Sequence, residues 1–596
     1  MIKILKTAVK LLSFIFFFLL VSSNIPEKND FSTERIKRNV EYLSSSKLGG
    51  RKAGSQGDLL AAEYIRKEFK KLDLKLLENK GFQRFEIVTG VRIEDGTRLA
   101  FNNYSALLGT EFQPYSFSAN TSLQAEAVFA GYGFNIKKDT FFWNDFEDHD
   151  VKGKWVIMLD GEPRIRMLQS FFSEQSDLRS KVLNATDQGA GGILIINTNG
   201  ENPISLEPLF LDRIMAVSNV PVFQINRQLA DRILSVSSIK TDSLISKIIN
   251  EKKPVTTHIP LLISGTSSIQ MIKSTTQNVI ALLEGSDPIL KNEYIVVGAH
   301  YDHLGMGGYG SGSRQPDTLA LHPGADDNAS GVTGIIELAA KLVSQKKMVR
   351  RSVVFVAFAA EEIGLLGSKY FVNHPPFPVE NIKAMLNFDM IGRYRKEKNE
   401  LMISGSGTSK ESDSLLTLYG NEHGLNLNKN PDGSGASDHA SFYLKKIPVF
   451  FISSGAHPDY HSPNDVSQKI DYEGMLRILS FSYDLLMDVA SMKDPLTFTE
   501  SESYGASEGR GYKVTLGIIP DFAANKIQGM RVESVRKGAP AATGGMKDGD
   551  VIVAVEGMPV GNIYDYMARL KSLRKGQIIT VDVLREGQKI VLIIQL

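Results

Sequence analysis

Histidines and acids crowd into one region of this 596-residue chain. Eight of the ten histidines lie between residues 300 and 461, together with several acid pairs. They stand at the ends of apolar runs or in the following loops, as in VVGAHYDH, FVAFAAEEIG and AMLNFD. The chain has no cysteine, which excludes disulfides, thiolate nucleophiles and thiolate metal ligands. Any metal must therefore be held by His, Asp and Glu.

The segment VVGAHYDH places His300 and Asp302 two residues apart at a strand end, so both side chains lean to the same side. An imidazole that binds a metal through one nitrogen needs its other N–H held, and a nearby carboxylate can do this. A solvated turn with an incidental histidine is the alternative, because such triplets also occur by chance.

The segment PGADDNASG places two acids immediately before a helix. Capping of that helix by Asp327 or Asn328 explains one polar residue there without a metal. It does not explain two acids flanked by glycines, whereas a backbone that bends tightly to aim one carboxylate inward does.

Two adjacent glutamates, Glu361 and Glu362, follow a buried strand. Neighbours at a strand end point in opposite directions, so one can bind a metal while the other handles protons. The alternative is that both are solvated. Asp389 repeats the pattern of an acid after an apolar strand, and His461 lies in the turn-rich loop HPDYHSPND.

These two histidines and three or four carboxylates offer only nitrogen and oxygen donors. Such a set suits two zinc ions about 3.5–4 Å apart that share a bridging carboxylate. A metal site explains all of the candidate positions at once, whereas capping and solvation must explain each one separately.

The elements around these positions predict an α/β fold. Near-continuous apolar runs (NVIALLEG, EYIVVGAH, RSVVFVAF and IKAMLNF) alternate with helical patterns such as GVTGIIELAAKLVSQ. This alternation predicts a mostly parallel sheet covered by helices on both faces. In such sheets the chemistry collects beyond the carboxyl ends of the strands.

The flanking regions predict export and two further domains. Residues 1–23 have the lysines, short apolar core and small residues of a signal peptide, so we expect a secreted or periplasmic protein. Membrane contact would occur only through an uncleaved signal segment. Residues 121–264 form a β-rich mixed insert, and residues 493–511 are polar and glycine-rich like a linker. The net charge of +1 argues against a nucleic-acid partner.

Several motifs carry resemblances to known families. HYD, GADDNASG, AAEEIGLLGS, LNFDMIGR, SDHASF and YHSPND, in this order, resemble the zinc aminopeptidase family of bacterial leucyl aminopeptidase and the transferrin-receptor-like peptidases. This resemblance covers residues 31–120 and 265–492. The insert, with GAGGILIINT, resembles the protease-associated domain. Residues 512–596 resemble a PDZ domain.

The aminopeptidase resemblance implies a role for each site residue. One zinc would be held by His300, Asp327 and Asp389, and the other by Asp327, Glu362 and His461. Asp327 is preferred to Asp326 because the family's bridging aspartate stands three residues before the serine of the motif, here Ser330. In the family that aspartate begins a cis peptide, which the resemblance implies for Asp327 and Asn328 as well. Glu361 would be the general base, and Asp302 would orient the first histidine.

The activity implied is removal of N-terminal residues from peptides by a secreted dinuclear zinc enzyme, with Glu361 taking a proton from the attacking water. The PDZ resemblance implies capture of a peptide C-terminus by backbone N–H groups at Gly517 and Ile518. A structural appendage is the alternative for that domain. Three other functions remain open on this fold: a one-zinc glutaminyl cyclase, a non-catalytic peptide-binding protein and a PDZ-tethered adaptor. The intact site residues argue against a non-catalytic protein.

Overall fold

The computed structural model describes residues 31–138, 141–173, 175–198, 206–211, 216–501, 514–521 and 528–596. The predicted signal peptide at 1–23 lies outside the described residues, as do residues 502–511 of the predicted linker. Within the described ranges, no helix is both long enough and apolar enough to cross a membrane.

Strands and helices alternate along the described chain. The strands are β1 (Lys75–Leu76), β2 (Phe82–Ile93), β3 (Arg98–Phe101), β4 (Tyr104–Ser105), β5 (Phe112–Pro114), β6 (Ser122–Ala130), β7 (Asn135–Lys138), β8 (Phe141–Asn144), β9 (Trp155–Leu159), β10 (Gly192–Ile196), β11 (Val222–Ile225), β12 (Thr256–Thr266), β13 (Ile269–Leu283), β14 (Tyr294–His300), β15 (Ser352–Phe358), β16 (Ile382–Phe388), β17 (Glu400–Ser404), β18 (Asn426–Asn430), β19 (Val449–Ser453), β20 (Ile518–Pro520), β21 (Met530–Val535), β22 (Val551–Val555), β23 (Met558–Pro559), β24 (Ile578–Arg585) and β25 (Gln588–Gln595). The helices are α1 (Thr33–Leu43), α2 (Gln56–Lys71), α3 (Gln169–Ser173), α4 (Leu178–Asp187), α5 (Arg227–Leu234), α6 (Thr241–Glu251), α7 (Gly331–Ser344), α8 (Leu366–Asn373), α9 (Ser412–Glu422), α10 (His439–Tyr443), α11 (Tyr472–Ser491), α12 (Pro540–Thr543) and α13 (Ile563–Lys571).

The first of two compact units takes in the described parts of residues 1–86 and 275–504. Its sheet has the strand order β1-β13-β15-β14-β16-β19-β17-β18, with β2 beside β13. The four central strands β15, β14, β16 and β19 run parallel, and antiparallel β13 and β17 flank them. The mostly parallel sheet predicted from the apolar runs is confirmed, and its parallel strands form the centre.

Helices cover both faces of this sheet. On one face, Phe358 of β15 packs against Phe371 of α8 and Phe442 of α10, with ring centroids 6.0 Å apart in both pairs. On the other face, Phe355 lies 6.1 Å from Phe69 of α2. Every residue of β15 is buried, as expected for a strand whose two faces are both covered.

The second unit takes in the described parts of residues 87–274 and 505–596. Its larger sheet has the order β4-β3-β12-β6-β9-β10-β11-β5, with β6, β9, β10 and β11 parallel. Strands β3 and β5, which precede the predicted insert of residues 121–264, belong to this sheet, because β3 pairs with β12 and β5 pairs with β11. These short strands have partners more than a hundred residues further along the chain, and such long-range pairing has no local sequence marker.

The C-terminal part of this unit has its own sheet and core. Its strands follow the order β20-β21-β22-β24-β25, with β23 beside β22. The side chain of Arg569 on α13 makes two hydrogen bonds, of 2.6 and 2.8 Å, to the Asp187 carboxylate at the end of α4. The Arg179 guanidinium lies 3.8 Å from the ring centroid of Phe117 and 4.4 Å from that of Tyr564. Charged and aromatic contacts therefore join the C-terminal domain to the insert.

Candidate metal centre

The first histidine of the site ends strand β14. His300 is buried, and its Nδ1 lies 3.2 Å from the backbone carbonyl of Asp302. The Asp302 carboxylate is further from that nitrogen, at 3.8 Å. It instead accepts hydrogen bonds from the backbone N–H groups of Glu361 (3.0 Å) and Glu362 (3.4 Å). Asp302 therefore orients His300 through its main chain and fixes the glutamate pair through its side chain.

The tight turn before α7 aims a single aspartate into the site. The peptide bond between Asp327 and Asn328 is cis, as the family resemblance implies. Asp327 Oδ1 lies 3.3 Å from His300 Nε2, and its Oδ2 lies 3.2 Å from His461 Nε2. Asp326 is used differently, since its Oδ1 accepts a 2.6 Å hydrogen bond from the Gly392 backbone. The two oxygens of Asp327 thus face two different histidines, which is the geometry of a bridging ligand.

A buried arginine and a buried aspartate hold this turn. Arg51 donates hydrogen bonds to the carbonyls of Pro323 (2.7 Å) and Gly324 (2.9 Å). Asp465 accepts from the backbone N–H groups of Asp326 and Asp327 at 3.0 to 3.1 Å. The turn is therefore fixed from both its carbonyl and its amide sides.

The adjacent glutamates lie beyond the end of β15, and their side chains have different neighbours. Glu362 Oε2 lies 3.2 Å from His461 Nε2, whereas Glu361 Oε2 lies 4.0 Å from His300 Nε2. Burial raises the pKa of Glu361 well above its ordinary value; His300 opposes this shift, and the carboxylates of Glu362, Asp389 and Asp438 add to it. Burial also acts to raise the pKa of Glu362, but the imidazoles of His303 and His461 outweigh it and lower the pKa.

The remaining two predicted ligands are each held by a neighbour. Asp389 Oδ1 lies 3.5 Å from His300 Nε2, and its Oδ2 accepts a 2.7 Å hydrogen bond from Ser437. His461 has its Nδ1 3.0 Å from the Gly312 carbonyl. The second oxygen of Asp389 and the second nitrogen of His461 are thus engaged outside the centre.

The donor atoms fit two cations. Nδ1 of His300 and of His461 each faces a backbone carbonyl, so both Nε2 atoms are directed at carboxylate oxygens 3.2 to 3.5 Å away. A ring nitrogen and a carboxylate oxygen this close need a proton or a cation between them. His300, Asp327 and Asp389 form one compact donor group, and His303, Asp327 and Glu362 form another, next to His461. Both groups contain Asp327.

The predicted residues His300, Asp302, Asp327, Glu361, Glu362, Asp389 and His461 lie together in the structure, and several of their neighbours were not predicted. His303 is buried only three residues after His300, in the same HYDH stretch, and its nearness to the first histidine was the available signal. Asp438 lies in the SDHASF motif, and burial raises its pKa to about 7. No local pattern marks Arg51, because its partners in the turn, Pro323 and Gly324, lie about 270 residues away.

The fold and the donor geometry together describe an α/β domain with a candidate metal site, and comparison with known proteins identifies two domains of the chain. Residues 278–485 match the family described as Peptidase family M28, and residues 497–596 match the PDZ domain. The chain therefore contains a Peptidase family M28 domain followed by a PDZ domain. Both resemblances are confirmed, whereas the one to the protease-associated domain stays a prediction.

Proteins similar to this chain include fungal and bacterial aminopeptidases. Leucine aminopeptidase 2 of Trichophyton rubrum is 31% identical over 190 residues, which are 30% of this chain and 34% of that protein. A probable leucine aminopeptidase of Arthroderma otae is 29% identical over 256 residues, 37% of this chain and 67% of that protein. The solved structure of BSAP, a zinc aminopeptidase from Bacillus subtilis, is 22% identical with a TM-score of 0.48 and covers 79% of this chain and 99% of that one. The chain spans about a third of the length of the first curated relatives it matches.

Proposed function

We propose that this protein is an exported, dinuclear zinc aminopeptidase that removes N-terminal residues from peptides. The observation that carries the proposal is the position of Asp327, whose two oxygens face His300 at 3.3 Å and His461 at 3.2 Å. A carboxylate placed in this way suits two neighbouring cations rather than one.

The chain's own residues would divide the work as follows. His300 and Asp389 would complete one metal position, and Glu362 and His461 the other. Two zinc ions, when bound, supply Lewis acidity and lower the pKa of a water molecule. Glu361 lies beside the two positions but takes part in neither compact donor group. It would accept the proton of the attacking water and return it to the leaving amine.

The substrate class rests on the similar proteins and on charge. The curated relatives are named as leucine aminopeptidases, which supports a peptide with a free N-terminus as the substrate. A free α-amino group is a cation or a neutral ligand, and it suits a site rich in carboxylates and metal. Export rests on the apolar and lysine-containing pattern of residues 1–23.

The test uses the full-length protein and leucyl 4-nitroanilide. We expect hydrolysis that a chelator abolishes and added zinc restores, with two zinc ions per chain by elemental analysis. The N-acetylated substrate is the control for exopeptidase action and should not be cleaved. One zinc per chain, together with cyclisation of N-terminal glutamine, would favour a glutaminyl cyclase, and hydrolysis that survives chelation would overturn the proposal.

For the PDZ domain, we propose binding of a peptide C-terminus beside β20. This strand ends the described strand order of its sheet, so an added strand has a side on which to pair. The backbone N–H of Gly517 donates to Thr515 Oγ1 at 3.0 Å, and a ligand carboxylate would take the place of that hydroxyl. The neighbouring N–H of Ile518 would be the second donor. A C-terminal peptide library should yield binders that lose affinity on C-terminal amidation, and binding indifferent to amidation would contradict this proposal.

A further inference from the structure

His303 stands next to the second metal position without belonging to the ligand set that the family resemblance implies. It is 2% exposed, and its Nδ1 lies 2.8 Å from Glu362 Oε1. The same nitrogen is 3.7 Å from Asp327 Oδ2, which is too far for a hydrogen bond. The contact with Glu362 is therefore the specific one.

The two oxygens of Glu362 are used by two different histidines. His303 contacts Oε1, whereas Oε2 lies 3.2 Å from His461 Nε2. At 2.8 Å from a carboxylate oxygen, Nδ1 of His303 carries the proton and donates it. Nδ1 of His461 faces the Gly312 carbonyl at 3.0 Å, so Nε2 is the nitrogen of that ring that is directed at Oε2. Oε1 is thus occupied by a donor, and Oε2 remains for a cation.

The ring of His303 is held in place by the backbone around it. Its backbone N–H donates to the Arg51 carbonyl at 3.2 Å. A methyl group added to Gly324 would lie 2.6 Å from Cδ2 of the His303 ring, and Gly324 has a φ of +56°. The glycine turn therefore packs directly against the imidazole and leaves it little room to move.

We propose that His303 is a positioning residue for the second metal ion: it donates Nδ1–H to Oε1 of Glu362 and so aims Oε2 at the cation shared with Asp327 and His461. This role rests on the proposed dinuclear function and adds a member to its site. Hydrogen bonds of this kind to a ligating carboxylate typically contribute 10- to 100-fold to metal affinity.

Zinc binding to the full-length protein, measured by competition with a chromogenic chelator, tests the role. We expect H303A to bind one zinc as the wild type does and the second about 10- to 100-fold more weakly. H303N should restore the second affinity to within a few-fold, because its amide places an N–H donor as many bonds from Cα as Nδ1. The exposed His374 provides the control, and H374A should bind both ions normally.

Cobalt substitution separates positioning from direct ligation. The absorption spectrum of the dicobalt protein should be the same in H303N as in the wild type, since no ligand is lost. If H303A does not fold, H303Q replaces it, because glutamine places its donor one bond further out. Two zinc ions bound normally by the H303A or H303Q protein would overturn this role alone. A changed cobalt spectrum in H303N would overturn the positioning role and indicate that His303 binds the metal directly. A wild-type protein that binds no second zinc would overturn both this role and the proposed dinuclear function.

Discussion

Glu361 and Glu362 show how much of the chemistry is decided by single residues. Their backbone N–H groups share one acceptor, the Asp302 carboxylate, yet their side chains enter different environments. The carboxylate of Glu362 lies 2.8 Å from a ring nitrogen of His303 and 3.2 Å from one of His461. The carboxylate of Glu361 lies 4.0 Å from Nε2 of His300. Adjacent side chains of one type can therefore take separate roles, one as a ligand and one in proton transfer.

Replacement of Glu361 by glutamine should separate catalysis from metal binding. The amide keeps the size of the side chain but cannot take a proton, so we expect kcat to fall by about 10²- to 10⁴-fold. Zinc content should stay at the wild-type value. The exposed Glu380 offers a matched control, and E380Q should retain full activity. Loss of zinc in E361Q would show that Glu361 is a ligand instead.

Replacement of Ser437 by alanine should weaken the first metal position. Its hydroxyl donates to Asp389 Oδ2 at 2.7 Å and accepts from Asn387 Nδ2 at 2.8 Å. Without it, Asp389 is free to turn, and we expect zinc affinity at that position to fall about 10- to 100-fold in a chelator competition. Ser434, which contacts Asp432 instead, supplies the control. Equal affinities in S437A and S434A would contradict the assignment.

At the scale of elements, strand ends and the loops that follow them place the predicted ligands. His300 ends β14, and Asp389 directly follows β16. The turn over residues 325–330 adds the shared aspartate, and it depends on a residue far away in the chain. Arg51 donates to the carbonyls of Leu43, Tyr301, Pro323 and Gly324, so it ties the N-terminal segment to the turn and to the end of β14.

Replacement of Arg51 by methionine should destabilise the first unit. Arg51 serves four carbonyls, and each buried carbonyl left without its donor costs about 1–3 kcal/mol, so we expect the free energy of unfolding to fall by at least about 4 kcal/mol. Zinc affinity should fall as well, because the turn that carries Asp327 loses its anchor. Arg38, whose side chain is 59% exposed beside Glu68, is the control, and R38M should cost at most about 1 kcal/mol. Calorimetric unfolding of both variants measures the difference.

The parallel sheet was predictable from the sequence, and the donor residues predicted from it lie together in the structure. Both features are visible in short stretches of sequence. A strand buried on both faces is apolar, and a polar side chain directly after it marks the end of the strand, where a site can form. The contact made by the Asp302 carboxylate was not predictable, since it depends on how the ends of β14 and β15 lie side by side. The contacts of Arg51, the pairing of β3 with β12 and the pairing of β5 with β11 were not predictable either, because they join distant parts of the chain.

At the scale of the whole molecule, the PDZ domain is docked on the insert within one compact unit. The Arg569 and Asp187 side chains that join them are 11% and 13% exposed, and they meet through two hydrogen bonds. Truncation of one partner of a largely buried ion pair with two hydrogen bonds lowers the free energy of unfolding more than truncation in an exposed pair does. The geometry argues for a fixed PDZ domain rather than a freely tethered one.

A double-mutant cycle with R569A and D187A should measure this docking. The chain's two tryptophans, Trp143 and Trp155, are both buried in the second unit, so their fluorescence reports on its unfolding. We expect a coupling free energy of about 0.5–3 kcal/mol in urea unfolding. The exposed pair Arg92 and Glu94 of the same unit should give a smaller coupling free energy. Additive effects of R569A and D187A would contradict the docking.

The most direct measurement of the central claim is an anomalous difference map at the zinc absorption edge from crystals grown with zinc. The arrangement of the donor groups predicts two peaks about 3.5–4 Å apart, with Asp327 between them. One should lie within ligand distance of His300 and Asp389, and the other of Glu362 and His461. A single peak, or none, at this position would contradict a dinuclear centre.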